Sequence, residues 1–169
     1  MSDSFYSDDD TELVEFCGVR IEVPSNLPIL LFKRKNSNIY LPITIGMPEA
    51  TSIMFALQGT DLPRPMTHDL FMASLAQHHA EIKAVHISQV VDGTYYAEMV
   101  FNSPAGEYVL SARPSDAVAL GVRSKAIVEY SANRELFDEA GVELDADNAE
   151  DEIEQFRDFL DEITPDDFQ

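Results

Sequence analysis

Two short segments hold the side chains best suited to chemistry: Arg64-Pro65-Met66-Thr67-His68-Asp69 and Arg113-Pro114-Ser115-Asp116. The prolines of the first stiffen a loop that would otherwise lose much entropy on ordering. Arg64 offers a planar fork suited to a phosphate or a carboxylate. His68 and Asp69 fall in the first turn of the next helix, where unbonded amides and the helix dipole favour an anion. Arginine, histidine and carboxylate beside a helix N-terminus can handle a phosphodiester. The plainer alternative is that Thr67 and Asp69 cap the helix while Arg64 pairs with a nearby carboxylate.

The second segment repeats the theme. Pro114 suits a first helical position, with Ser115 and Asp116 in the first turn. Capping accounts for these three but not for Arg113, a cation at the positive end of the dipole, unless an anion or carboxylate sits there. Candidate catalytic residues are therefore His68, Asp69 and Asp116, and candidate phosphate holders are Arg64, Arg113 and Ser115.

A zinc site is not expected. His68 and His79 are eleven residues apart, roughly 16 Å along a helix, too far to share one ion. Cys17 is the only cysteine, so neither a disulfide nor a cysteine-based zinc site can form, and it reads as a small buried hydrophobe. A hard divalent ion, Mg²⁺ or Mn²⁺, needs only one or two carboxylates plus water and substrate phosphate. Asp69, Asp116 and Glu49 are the candidate ligands, with Asp61 a further one, and spacing does not choose among them. No glycine-rich phosphate loop, nucleophile elbow or organic-cofactor motif is present.

The elements that must position these residues fit one domain of 169 residues, 45% of them apolar. The formal charge of −20 argues against nucleic acid only until the charges are located. Residues 1–12 hold five acids and residues 135–169 hold fifteen acids against one base, whereas residues 13–134 carry eleven acids and ten bases. The expected division is an acidic disordered leader (1–12), an α+β domain (13–134) and an acidic tail (135–169). The start lacks the basic and apolar pattern of a secretory signal, and the apolar run Leu27 to Phe32 is too short to span a bilayer, so a cytoplasmic protein without a membrane partner is expected.

Strands are expected over Leu13–Val23, Ile29–Phe32 and Ile39–Ile45, then a helix from Glu49 with Ala50, Ile53, Met54 and Leu57 on one face, stopped by Gly59. Thr67 is the expected N-cap of a second helix. Asp92-Gly93 signals a hairpin between 82–91 and 94–101. A strand at Glu107–Ala112, a helix from Pro114, a strand at Ala126–Glu129 and a helix from about Asn133 follow. Pairing Glu49-Ala50 with Asp116-Ala117 brings Ile43 onto Leu110 and Ile53 onto Leu120, which suggests a duplicated β-β-β-α unit in a mixed or antiparallel sheet. In the tail, Asn148 reads as an N-cap, and Ile153, Phe156, Phe159, Leu160 and Ile163 make one apolar stripe before Thr164-Pro165. Such a helix must dock on its own core, a second subunit or a partner, the first two being favoured.

Leu41-Pro42-Ile43-Thr44-Ile45-Gly46, Glu49-Ala50, Pro63 to Leu70, Tyr95-Tyr96-Ala97 and Arg113 to Leu120 together resemble the bifunctional nuclease family over about residues 13–132. The acidic tail is similar to the ends of actinobacterial members. The resemblance implies an α+β domain that self-associates, a dimer being favoured, with the DNase and RNase activity attributed to plant members. Two functions are therefore expected. One is a metal-assisted nuclease acting on DNA or RNA. The other is a non-catalytic homo-oligomeric module that binds a ligand or regulates through an anion pocket at the Arg-Pro motifs.

Overall fold

The computed structural model describes residues 10–144. Most of the expected leader and the expected tail helix lie outside the described residues. Strands β1 (Thr11–Glu22), β2 (Leu27–Arg34) and β3 (Ile39–Thr44) form an antiparallel meander, with Phe16 opposite Phe32 and Phe32 opposite Leu41. Strands β4 (Glu81–Val91), β5 (Thr94–Ser103) and β6 (Gly106–Ala112) form a second one. Asp92 and Gly93 turn the β4–β5 hairpin at φ 50° and 77°, the positive pair that matches the twist of the strands.

The two meanders are joined through β7 (Glu129–Asn133), parallel to β4 and antiparallel to β1. With β8 (Val142–Glu143) on the far edge, the sheet order is β6-β5-β4-β7-β1-β2-β3-β8.

Helix α1 (Met47–Gln58) follows the first meander and α3 (Pro114–Gly121) the second, and the two pack on each other. Helix α2 (Thr67–Gln77) lies against α3, and α4 (Arg134–Ala140) follows β7. Each half therefore reads β-β-β-α, and an α+β fold with a mixed sheet is what forms. The core lies between the helices and one sheet face, where Leu30, Phe32, Ile53, Val85, Phe101 and Val118 are buried. Each such side chain contributes about 1.5–3 kcal/mol through burial. Among the described residues no helix is long and apolar enough to cross a membrane.

Five local expectations are corrected. β1 starts at Thr11, inside the stretch read as leader, because Thr11 and Glu12 pair with β7 and Glu12 meets Arg34 at 2.6 Å. No strand forms at Ala126–Val128: Ile127 is 96% exposed, and the ladder begins only at Glu129, where β4 supplies a partner. Leu57 leaves the buried face of α1, which instead buries Thr51 and Ser52. The N-cap of α2 is Met66, with Thr67 the first helical residue. In the repeat, Leu110 is exposed where Ile43 is buried, since β6 is the sheet's edge and β3 is covered.

Candidate functional site

The sites of the two halves meet because α1, α2 and α3 bring their starts together. Pro48 and Pro114 preset the first turns of α1 and α3. In α2, Asp69 accepts the Met66 backbone N–H at 2.8 Å, so this carboxylate does cap its helix.

His68, one residue earlier, projects the other way. Its Nδ1 lies 3.0 Å from Ser52 Oγ on α1, and its Nε2 lies 3.1 Å from Asp116 Oδ1 on α3. A carboxylate only accepts, so Nε2 carries a proton, and in the neutral ring Nδ1 accepts the Ser52 hydroxyl proton. Asp116 also takes Arg113 through both oxygens, at 2.7 and 3.1 Å, and Arg113 reaches Glu49 at 3.0 Å. The cation at the start of α3 is thus compensated by two carboxylates, as its position at the dipole demands.

On the other side of His68, Arg123 donates from Nη2 to Ser52 Oγ and to the Ser52 carbonyl, each at 3.1 Å. Its Nε meets Asp69 at 2.7 Å and its Nη1 the Ala119 carbonyl at 2.8 Å. One continuous chain results: Glu49, Arg113, Asp116, His68, Ser52, Arg123, Asp69.

Charge follows geometry. Burial opposes the charged form of Asp116, but Arg113 and then His68 outweigh it and hold the carboxyl below its usual range. Burial likewise opposes ionised Asp69, and Arg123 with the Met66 amide more than offsets it. Hydrogen bonding to Asp116, with help from Glu49, raises Arg113 above the ordinary arginine value. Both carboxylates are therefore ionised at neutral pH.

Two clefts flank this chain. One, of about 480 Å³, is lined by Thr44, Gly46, Glu49, Tyr95, Arg113 and Ser115. The other, of about 570 Å³, is lined by Thr60, Asp61, Arg64, Asp69 and Arg123. Arg64 is exposed there, and no carboxylate pairs with it among the described residues. The structure thus joins His68, Asp116, Arg113 and Glu49, and places Arg64 and Asp69 on the second cleft.

The family model of the bifunctional nuclease domain matches residues 29–145. The chain belongs to the bifunctional nuclease domain family. It is also 39% identical over 162 residues to Uncharacterized protein Rv1829 of Mycobacterium tuberculosis strain H37Rv, covering 92% of this chain and 97% of that one. The same figures hold for Uncharacterized protein MT1877 of strain CDC 1551.

In this bifunctional nuclease domain the expected cation ligands are separated. Glu49 and Asp116 both face the Arg113 guanidinium, whereas Asp69 is bonded to Arg123. Among the described residues no three His, Cys, Asp or Glu side chains form a metal-holding group. An ion taking Glu49 and Asp116 would compete with Arg113 for these carboxylates. Ser52 and Arg123 were not legible as site residues. Ser52 lies one helical turn after Glu49 and Arg123 two turns after Asp116, but that spacing fits any helix face.

Proposed function

We propose that this domain is a nuclease that hydrolyses phosphodiester bonds of DNA or RNA at the cleft between α1 and α3. The observation that carries the reading is His68, held at both ring nitrogens and joined through Asp116 to the exposed guanidinium of Arg113. An entering phosphate competes with Glu49 and Asp116 for the Arg113 fork. Once Arg113 turns to the phosphate, Asp116 remains to support a positive charge on His68. His68 Nε2 passes a proton to or from the reacting oxygen once its bond to Asp116 Oδ1 opens, with the carboxylate still close enough to stabilise the charged ring. Ser115 and the first amides of α3 border the same cleft and suit the phosphate oxygens. Arg64, on the neighbouring cleft, holds the next phosphate of the strand.

A divalent ion bound there would supply further charge neutralisation at the phosphate. Mg²⁺ or Mn²⁺ on Glu49 and Asp116, with water completing the shell, is the form of that expectation consistent with this arrangement. Asp69, bonded to Arg123, would stay outside that shell.

The test is cleavage of single-stranded DNA and of RNA by the purified full chain, in Mg²⁺, Mn²⁺ or chelator, beside a folded His68→Ala variant. Loss of cleavage in the variant supports the reading. Equal cleavage by both proteins would sink it. The second reading, a homo-oligomeric anion-binding module, is favoured by one observation: the Arg113 guanidinium is already matched by two carboxylates. It predicts nucleotide or phosphate binding that Arg113→Ala removes, with no turnover under any metal.

A further inference from the structure

β2 is apolar without a break from Leu27 to Phe32. An antiparallel strand with one wet face alternates apolar and polar residues, and a continuous apolar run marks a strand covered on both faces. Leu30 and Phe32 face the helices, where the main core lies. Ile29 and Leu31 face the other way and form a second apolar cluster with Tyr40 of β3. Among the described residues, the apolar side chains packed on that cluster are Cys17 and Leu144. Ile29, Leu31 and Tyr40 are nonetheless only 9%, 2% and 9% exposed, more burial than two half-buried neighbours account for.

Leu144 shows where further cover can come from. After α4 the chain runs along the edge of β3 as β8, and the Leu144 N–H donates to the Asn38 carbonyl at 3.2 Å. The chain therefore reaches the outer face of the first meander at residue 144, with 25 residues still to come. Those residues carry a stripe, Ile153, Phe156, Phe159, Leu160 and Ile163, at helical spacing behind the N-cap residue Asn148.

We propose that residues 149–163 dock as an amphipathic helix across the outer face of β1, β2 and β3, laying this stripe over Ile29, Leu31, Tyr40 and Cys17. The lengths agree. A helix of this span is roughly 22 Å long at about 1.5 Å per residue. Three strands about 4.8 Å apart present a face that one such helix crosses completely. Residues 145–148 need only turn the chain from the β3 edge onto the face. Charge does not oppose the contact, because Arg20 and Lys33 share this face with Glu15 and Glu22, and the Lys33 ammonium lies over the Tyr40 ring at 5.6 Å. Apolar burial drives the docking, and the acids of the segment stay on its solvent side.

Cys17, the only cysteine of the chain, belongs to the covered cluster and reports on it directly. Burial, more than the neighbouring Glu15, already pushes its thiol pKa up. The experiment is alkylation of Cys17 by a small neutral maleimide in the full chain and in full-length F156D/F159D, each at several protein concentrations. The variant is expected to react at least tenfold faster, with the wild-type rate independent of concentration. Equal rates overturn the proposal. Wild-type protection that grows with concentration also overturns it, since a second copy would then be the cover. As a check that does not depend on the aspartate variant, F156C should form an intrachain disulfide with Cys17 on mild oxidation of dilute protein. Only interchain product, or none, would count against it.

Discussion

His68 Nε2 and Asp116 Oδ1 stand 3.1 Å apart across the α2–α3 boundary, and the same carboxylate grips Arg113. One carboxylate thus couples the proton-transfer group to the phosphate-binding group of the proposed site. H68A and D116N should each lower cleavage by about 10²–10⁴, the usual worth of a positioned acid or base. The double variant should be little worse than either single one, as residues that act as a unit are not additive. Measured kcat/KM values that multiply instead would separate the two roles.

Arg113 is largely exposed, so its ion pairs add little to stability. R113A should change unfolding free energy by less than about 1 kcal/mol, yet lower kcat/KM by about 10²–10³, the usual effect of removing one transition-state donor. Arg113→Lys should recover only part of this, because an ammonium lacks the two-pronged fork. Full activity in R113A would remove Arg113 from the site.

Gly46 offers a test that leaves every charged group in place. Its φ of −77° suits alanine, but a Cβ there would overlap the Glu49 carboxylate. Glu49 sits at the end of a flexible side chain and can move aside. G46A should therefore fold normally and release one carboxylate from Arg113, strengthening phosphate or mononucleotide binding a few-fold. Calorimetric titration measures this, and weaker binding would contradict the view that Glu49 competes with the ligand.

Arg123 is the structural counterpart of Arg113. Its side chain is 8% exposed, and four acceptors hold it. R123A strands Asp69, Ser52 Oγ and two carbonyls, although Asp69 keeps some contact with water. A loss of about 2–3 kcal/mol is expected, and Arg123→Lys should not restore it. Urea unfolding gives the figure, and a loss under about 0.5 kcal/mol would show that water replaces these bonds.

The response to pH has two stages. Burial depresses the pKa of His86, only partly countered by its bond to Asn133. Below about pH 6.5 the unfolded chain takes up a proton that folded His86 resists. Stability is thus complete above that value and falls as pH drops through it towards the folded pKa. Asp69 and Asp116, both held low, contribute stability that is present above about pH 3.9 and lost as pH falls through their folded values. The urea midpoint should drop from pH 7.5 to 5.5 in the wild type and less so in His86→Gln. A midpoint that rises over this interval would reverse the assigned sign.

The local signals of the sequence are those whose cause is local. Asp92-Gly93 makes its hairpin, Pro114 starts its helix, and Gly59 ends α1 in the left-handed region at φ 64°. The repeated β-β-β-α order also shows, since periodicity and turn residues carry it. What failed depends on distant partners. Val128 has high strand propensity, but hydrogen bonding begins one residue later, where β4 runs alongside. Ser52 and Arg123 gain meaning only because α1 and α3 pack together and bring residues 71 positions apart within 3.1 Å. The Arg-Pro segments were found from residue type. That Arg64 and Arg113 open onto different clefts could not be read from their matching motifs.

β7 has a kinetic consequence. In the described ladder β1 and β4 have no direct pairing, and residues 129–133 are the keystone between them. A nascent chain that has left the ribosome only as far as α3 owns both meanders but not the strand that unites them. Until then β1 and β4 each present an unpaired edge, the kind of surface that recruits strands from other chains. Sheet closure must therefore await a late segment closing a loop of more than a hundred residues onto Thr11–Leu13. Slow, topology-limited folding is expected of such an arrangement.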